Sequence, residues 1–183
     1  MRLKSATKKH KISTFQIATA AIFAALVAVA TIAFAFPITA TSGYFNLGET
    51  VIYVAALLFG PFIGLIAGAG ATIADIVLVP PYAPVTFVVK AVEGCLVGFL
   101  VKKLNSRLRN FTLCAVIAIL IGGFEMITGY FIYETFVYGY GVALAELPVN
   151  IVQMLFGLVI AVPIMQTVLR VFPQLKNYLQ EIH

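Results

Sequence analysis

The sequence has no tryptophan, two histidines, two cysteines and very little charge: Asp, Glu, Lys and Arg make up 10% of its 183 residues. A soluble domain carries about a quarter charged residues, so a water-soluble core protein is excluded. His10 and His183 both lie outside the apolar runs, so no histidine metal cluster or catalytic triad assembles there. Cys95 and Cys114 sit in apolar stretches without paired spacing, which excludes a disulfide framework and leaves them as small packing residues. No glycine-rich phosphate loop ending in Gly-Lys-Ser or Gly-Lys-Thr occurs, hence no ATPase site on this chain. "GAGATI", from Gly68, lacks the strand and soluble βαβ unit that a dinucleotide-binding turn requires. Neither an enzyme, a cofactor nor a metal site is expected.

What is present is apolar: 62% of the residues are hydrophobic. Twelve basic residues outnumber seven acidic ones, giving a net charge of +5. Their distribution argues against nucleic acid. Arg2, Lys4, Lys8, Lys9 and Lys11 open the chain, Lys102, Lys103, Arg107 and Arg109 form a second cluster, and Arg170 and Lys176 a third. Short loops rich in Lys and Arg stay cytoplasmic. Only Lys90 lies inside an apolar run.

The apolar runs predict an all-α membrane protein with six transmembrane helices, at about 15–36, 46–59, 62–79, 84–101, 111–132 and 143–170. A basic segment, 1–12, precedes them and a tail, 171–183, follows, as one transmembrane domain. The first run is longer than the apolar region of a secretory signal, about 7–15 residues. Gly60-Pro61 splits the second and third helices, because proline is poorly tolerated inside a helix. The second helix is short, so the connection before it is expected to dip into the protein. Pro148 and Pro163 predict kinks or an unwound start in the sixth. Six crossings leave both termini and the 102–109 loop cytoplasmic, with eleven of the twelve basic residues on that side.

That topology collects the acids at one depth. Glu49 opens the second helix from outside and Asp75 closes the third; Glu93, Glu125 and Glu146 fall in the outer halves of their helices, and Glu134 in an external loop. Ionisable groups are costly in hydrocarbon and usually face a bundle interior or a wet cavity. Thr86, Lys90 and Glu93 share one helical stripe, as do Glu146, Asn150 and Gln153, with Glu125 and Thr128 a shorter version. An outward-opening polar pocket is expected from these residues with Asn46, Glu49, Asp75 and Tyr82, ringed by Tyr44, Tyr82, Tyr130, Tyr133 and Tyr138. Mutual pairing, Lys90 with Glu93 above all, is the plainer alternative. Ala20, Ala24 and Ala28, and the pairs Gly64/Gly68 and Gly94/Gly98, repeat at four-residue intervals that let helices approach closely.

"NLGETVIYVAALLFGPFIGLIAGAGATIADIV", "YAPVTFVVKAVEGCLVGFL" and "ELPVNIVQMLFGLVIAVP" together resemble the substrate-binding membrane subunits (S components) of energy-coupling factor (ECF) vitamin transporters, riboflavin-type branch. The resemblance covers essentially the whole chain. It implies a six-helix subunit that captures a small vitamin or precursor outside, closes its external loops, and topples in the membrane to release it. Riboflavin is the first candidate, with hydroxymethylpyrimidine and pyridoxine fitting as well. It also implies partners on other chains: an energising transmembrane subunit, contacted through Ala20, Ala24 and Ala28, and two ATPases. The alternative is a stand-alone proton-coupled secondary transporter using Asp75, Glu93 and Glu125, although the chain shows no convincing internal repeat.

Overall fold

The computed structural model describes residues 12–38, 41, 43–108 and 110–175. The basic segment expected at 1–12 (save Ile12) and the tail from 176 onward lie outside the described residues. Six α-helices follow in order: α1 Thr14–Ala33, α2 Gly48–Phe59, α3 Pro61–Leu78, α4 Ala83–Leu108, α5 Phe111–Val137 and α6 Tyr140–Val171. Between α1 and α2, β1 (Phe36–Pro37) pairs antiparallel with β2 (Tyr44–Phe45), Phe36 opposite Phe45. A 3₁₀ turn, Pro80–Tyr82, joins α3 to α4.

Local chemistry sets the ends. Ser13 caps α1 by accepting from the Gln16 backbone N–H at 3.2 Å, while the Gln16 side chain accepts from the Ser13 N–H at 3.0 Å. Gly60 (φ +85°) ends α2 in a conformation that favours glycine, and Pro61 then opens α3, so the expected break falls where Gly-Pro stands. Other boundaries differ from the sequence reading. α1 stops at Ala33 because Phe36 and Pro37 pair with β2. α4 extends through "VKKLNSRL", and α5 runs to Val137, so Glu134 sits on a helix rather than in a loop. Only Tyr138 and Gly139 separate α5 from α6, and α6 continues through both Pro148 and Pro163.

Among the described residues, five helices are long and apolar enough to cross a membrane. α2, with 12 residues, reaches only about 18 Å. Nine of its residues are buried, so the longer helices shield it and it need not match the hydrocarbon thickness. The outer faces are apolar: Val77, Phe87, Phe124 and Val159 are all more than half exposed. Such a surface suits lipid rather than water.

Small residues hold the helices together. A Cβ on Gly64 would come within 2.8 Å of the Gly94 carbonyl carbon, and one on Gly98 within 2.6 Å of the Pro61 nitrogen, so α3 and α4 touch backbone to backbone. Gly68 faces the Lys90 carbonyl in the same seam, which fixes the position of Lys90. On α1, Ala20 and Ala28 are buried and the Ala24 backbone lies against Gly70. The Ala20–Ala24–Ala28 row, expected at a partner contact, is thus turned towards the chain's own helices. Ala18, Ala21 and Ala25 occupy the exposed face of α1 instead.

Away from the loops that join α1 to α2, α3 to α4 and α5 to α6, the bundle packs around Tyr53, Leu57, Val97, Ile119 and Met165. Towards those loops the packing opens, and the polar residues collect there.

Candidate functional site

An open, polar-walled cavity occupies that end of the bundle, about 540 Å³ when the solvent at its mouth is counted. All six helices reach it, each at the terminus nearest those loops: Thr31 from α1, Gly48, Glu49 and Ile52 from α2, Ala71 and Asp75 from α3, Thr86 and Lys90 from α4, Tyr130 and Glu134 from α5, and Glu146, Asn150 and Gln153 from α6. Gly43, Tyr44, Asn46 and Tyr82 complete the wall.

At its inner end stands an ion-pair network. Lys90 is 4% exposed and its Nζ donates to Glu49 Oε2 and, at 3.1 Å, to Glu93 Oε2. Tyr53 donates to the other Glu93 oxygen at 2.9 Å. Gln153 Nε2 donates to Glu49 at 3.3 Å, and Gln153 Oε1 accepts from the Asn46 backbone N–H (3.0 Å) and side-chain amide (3.1 Å). Asn46 Oδ1 accepts in turn from the Gly48 N–H at 2.9 Å, which satisfies a donor at the start of α2. Residues 44–49 are therefore tied to α4 and α6, as the expected inward dip of this connection requires.

Three further carboxylates line the outer part. Asp75 accepts from Tyr44 and from Thr86, and Thr86 shares a 2.8 Å hydrogen bond with Tyr130. Burial and the Asp75 carboxylate both push the Tyr44 phenol above its ordinary value, so it remains a proton donor. Glu146 accepts from the Thr41 hydroxyl and, at 3.0 Å, from the Gly43 N–H, fastening the α1–α2 connection across α6. Glu134 accepts from Tyr82 at 3.4 Å, while its Oε2 is buried without a partner. Tyr82 also stacks on Tyr138, with ring centroids 5.5 Å apart and planes 19° apart, and meets Tyr133 at 5.6 Å.

Of the residues expected at the pocket, Asn46, Glu49, Asp75, Tyr82, Thr86, Lys90, Glu146, Asn150 and Gln153 share this wall. Glu93 does not: it lies one helical turn beyond Lys90, fully buried behind it. Glu125 is also outside the wall, half-buried on α5, and its neighbour in the pattern, Thr128, is exposed and bonds the Phe124 carbonyl at 2.8 Å. A pattern of two polar residues left the orientation of that stripe open. Tyr133 and Tyr138 support Tyr82 from behind rather than lining the cavity. Glu134 was the residue the sequence reading placed elsewhere; its i, i+4 spacing from Tyr130 on a continued α5 is the signal that finds it.

Residues 11–170 match the family described as "ECF-type riboflavin transporter, S component". An uncharacterised protein of Pyrococcus woesei is 36% identical over 135 residues, covering 73% of this chain and 88% of that protein. The thiamine precursor transporter HmpT of Lactococcus lactis subsp. cremoris is 33% identical over 144 residues, covering 77% of this chain and 80% of HmpT. Among solved structures, the S component of a bacterial ECF transporter superposes with a TM-score of 0.66 at 17% identity, covering 86% of this chain and 97% of that one. The S component for biotin from an ECF-type ABC transporter does so with the same TM-score at 19% identity, covering 91% and 94%. These two likenesses establish the fold alone. The match over nearly the whole sequence and the membrane-capable helices place the protein in the cell membrane as a multi-pass protein, and the chain belongs to the family of ECF-type riboflavin transporter S components.

Proposed function

We propose that this chain is the capture subunit of an ECF-type importer, taking a small water-soluble vitamin or vitamin precursor from the outside face of the membrane. The observation that carries the reading is the cavity, walled by polar residues from all six helices in an otherwise apolar bundle. Polar hollows are expensive within a membrane protein unless they serve a polar guest. A thiamine-precursor aminopyrimidine is the first candidate, on the likeness to HmpT, ahead of riboflavin and pyridoxine.

In this reading α2 completes a six-span topology with both termini cytoplasmic and the cavity outside. Lys102, Lys103, Arg107 and Arg170 lie at the end remote from the cavity, in keeping with cytoplasmic enrichment of basic residues. An energising transmembrane subunit and two ATPase subunits on other chains complete the importer. The exposed Ala18, Ala21 and Ala25 face of α1 offers the close approach such a membrane partner uses. Mass spectrometry of small molecules that copurify with the detergent-solubilised chain tests the reading. A vitamin or precursor in the extract is the expected result; lipids and detergent alone, even after incubation with candidate vitamins, would reject it.

A further inference from the structure

The charges around the cavity do not balance. Four carboxylates line it, from Glu49, Asp75, Glu134 and Glu146, against a single ammonium, Lys90. Lys90 is committed at the inner end, bonded to Glu49 and to Glu93 behind the wall. Asp75, Glu134 and Glu146 have no cation beside them among the described wall residues. Three helix starts, of α2, α4 and α6, could in principle favour an anion. However, Glu49 already stands in the first turn of α2, Thr86 in the first turn of α4 donates to the Asp75 carboxylate, and Glu146 lies about two turns into α6, facing the cavity.

The hydrogen bonds narrow the position further. Both Asp75 oxygens accept, from Tyr44 and Thr86. Glu146 Oε1 accepts from Thr41 and Gly43. Glu134 is different among these three: the residue is 2% exposed, lines the cavity, and keeps Oε2 without a partner among the described residues. Glu49 Oε1 is unpartnered too, but Lys90 already neutralises that carboxylate through Oε2. A buried acceptor left unsatisfied is costly, more so when charged. Glu134 also feels the repulsion of Glu146 across the wall. An N–H or ammonium hydrogen placed between them would relieve both penalties, and the Tyr82 ring beside Glu134 favours a flat, aromatic carrier of that hydrogen.

We infer that the guest is a neutral or positively charged heterocycle that presents a nitrogen-bound hydrogen to Glu134, and that the cavity rejects phosphorylated forms of the same compound. The inference rests on the capture reading above and extends it to ligand charge. Phosphate would bring about two negative charges into a wall with three uncompensated carboxylates and no unpaired lysine or arginine. The imported species is then the free compound, and an intracellular phosphotransfer step is the class of reaction that would consume it.

Isothermal titration of the full chain in detergent tests this with three probe pairs: 4-amino-5-hydroxymethyl-2-methylpyrimidine, riboflavin and pyridoxine, each against its own phosphate monoester. For every pair in which the parent binds, it is expected to bind at least tenfold tighter than its ester. Glu134→Gln is expected to weaken that parent at least tenfold and to shrink the ratio to its ester. An ester that binds as tightly as its parent, or a ratio unmoved by Glu134→Gln, overturns the inference while leaving capture intact. Absence of binding by all six probes overturns the capture reading and the inference together. If Glu134→Gln does not fold, the wild-type ratios decide alone.

Discussion

Replacing Lys90 by methionine removes the only cation from the inner network while keeping most of the side-chain volume. Glu49 and Glu93, 1% and 0% exposed, are then left facing each other with only neutral donors from Gln153 and Tyr53. Breaking a buried pair by deleting one partner costs about 3–5 kcal/mol. At about 2–4 °C per kcal/mol for a chain of this size, the thermal midpoint should fall by roughly 6–20 °C. The triple variant Lys90→Met/Glu49→Gln/Glu93→Gln removes the stranded charges as well and should recover most of that loss. Without tryptophan the chain has weak intrinsic fluorescence, but buried Cys114 becomes reactive on unfolding, so a thiol-reactive dye reports the transition in detergent. A midpoint shift below 2 °C for Lys90→Met, or a triple variant no more stable than the single one, would refute the network as described.

Gly64→Val should disrupt the α3–α4 seam, because the first added carbon already meets the Gly94 backbone; overpacking of this kind costs about 1–3 kcal/mol or more, read as lost folded yield on size-exclusion chromatography. Gln153→Ala removes the donor to Glu49 and the acceptor for both Asn46 groups; ligand affinity should drop about tenfold, equivalent to 1.4 kcal/mol, with the midpoint changed by only a few degrees. Glu125→Gln, by contrast, lies off the cavity wall and should leave affinity within about twofold; a tenfold loss in the same titration would place Glu125 in the site after all.

How much of this was legible follows from which patterns constrain orientation. Thr86 and Lys90, and Glu146, Asn150 and Gln153, lie on stripes of helices whose other faces are apolar, so they could only turn inward. Glu93 continues the first stripe, but a further 4.5 Å of rise over three residues carries it beneath the cavity floor. Glu134 was obscured because "YETFVYGYG" reads as a polar loop, whereas helix α5 persists to Val137 with Tyr130 and Glu134 on one face. The alanine reading failed to settle for a different reason. α1 carries alanines on two faces, Ala20/Ala24/Ala28 and Ala18/Ala21/Ala25, and only packing against α2 and α3 distinguishes the buried set from the exposed one.

The central claim is that the cavity between Glu49, Asp75, Glu134 and Glu146 holds a vitamin-sized guest. Native mass spectrometry of the chain released from detergent, after incubation with the three unphosphorylated probes, tests it most directly. The wild type should carry one small molecule per chain, and Ala71→Phe, which places a ring in that hollow, should carry none while remaining folded. Equal occupancy in the two proteins, or an empty wild type, would contradict it.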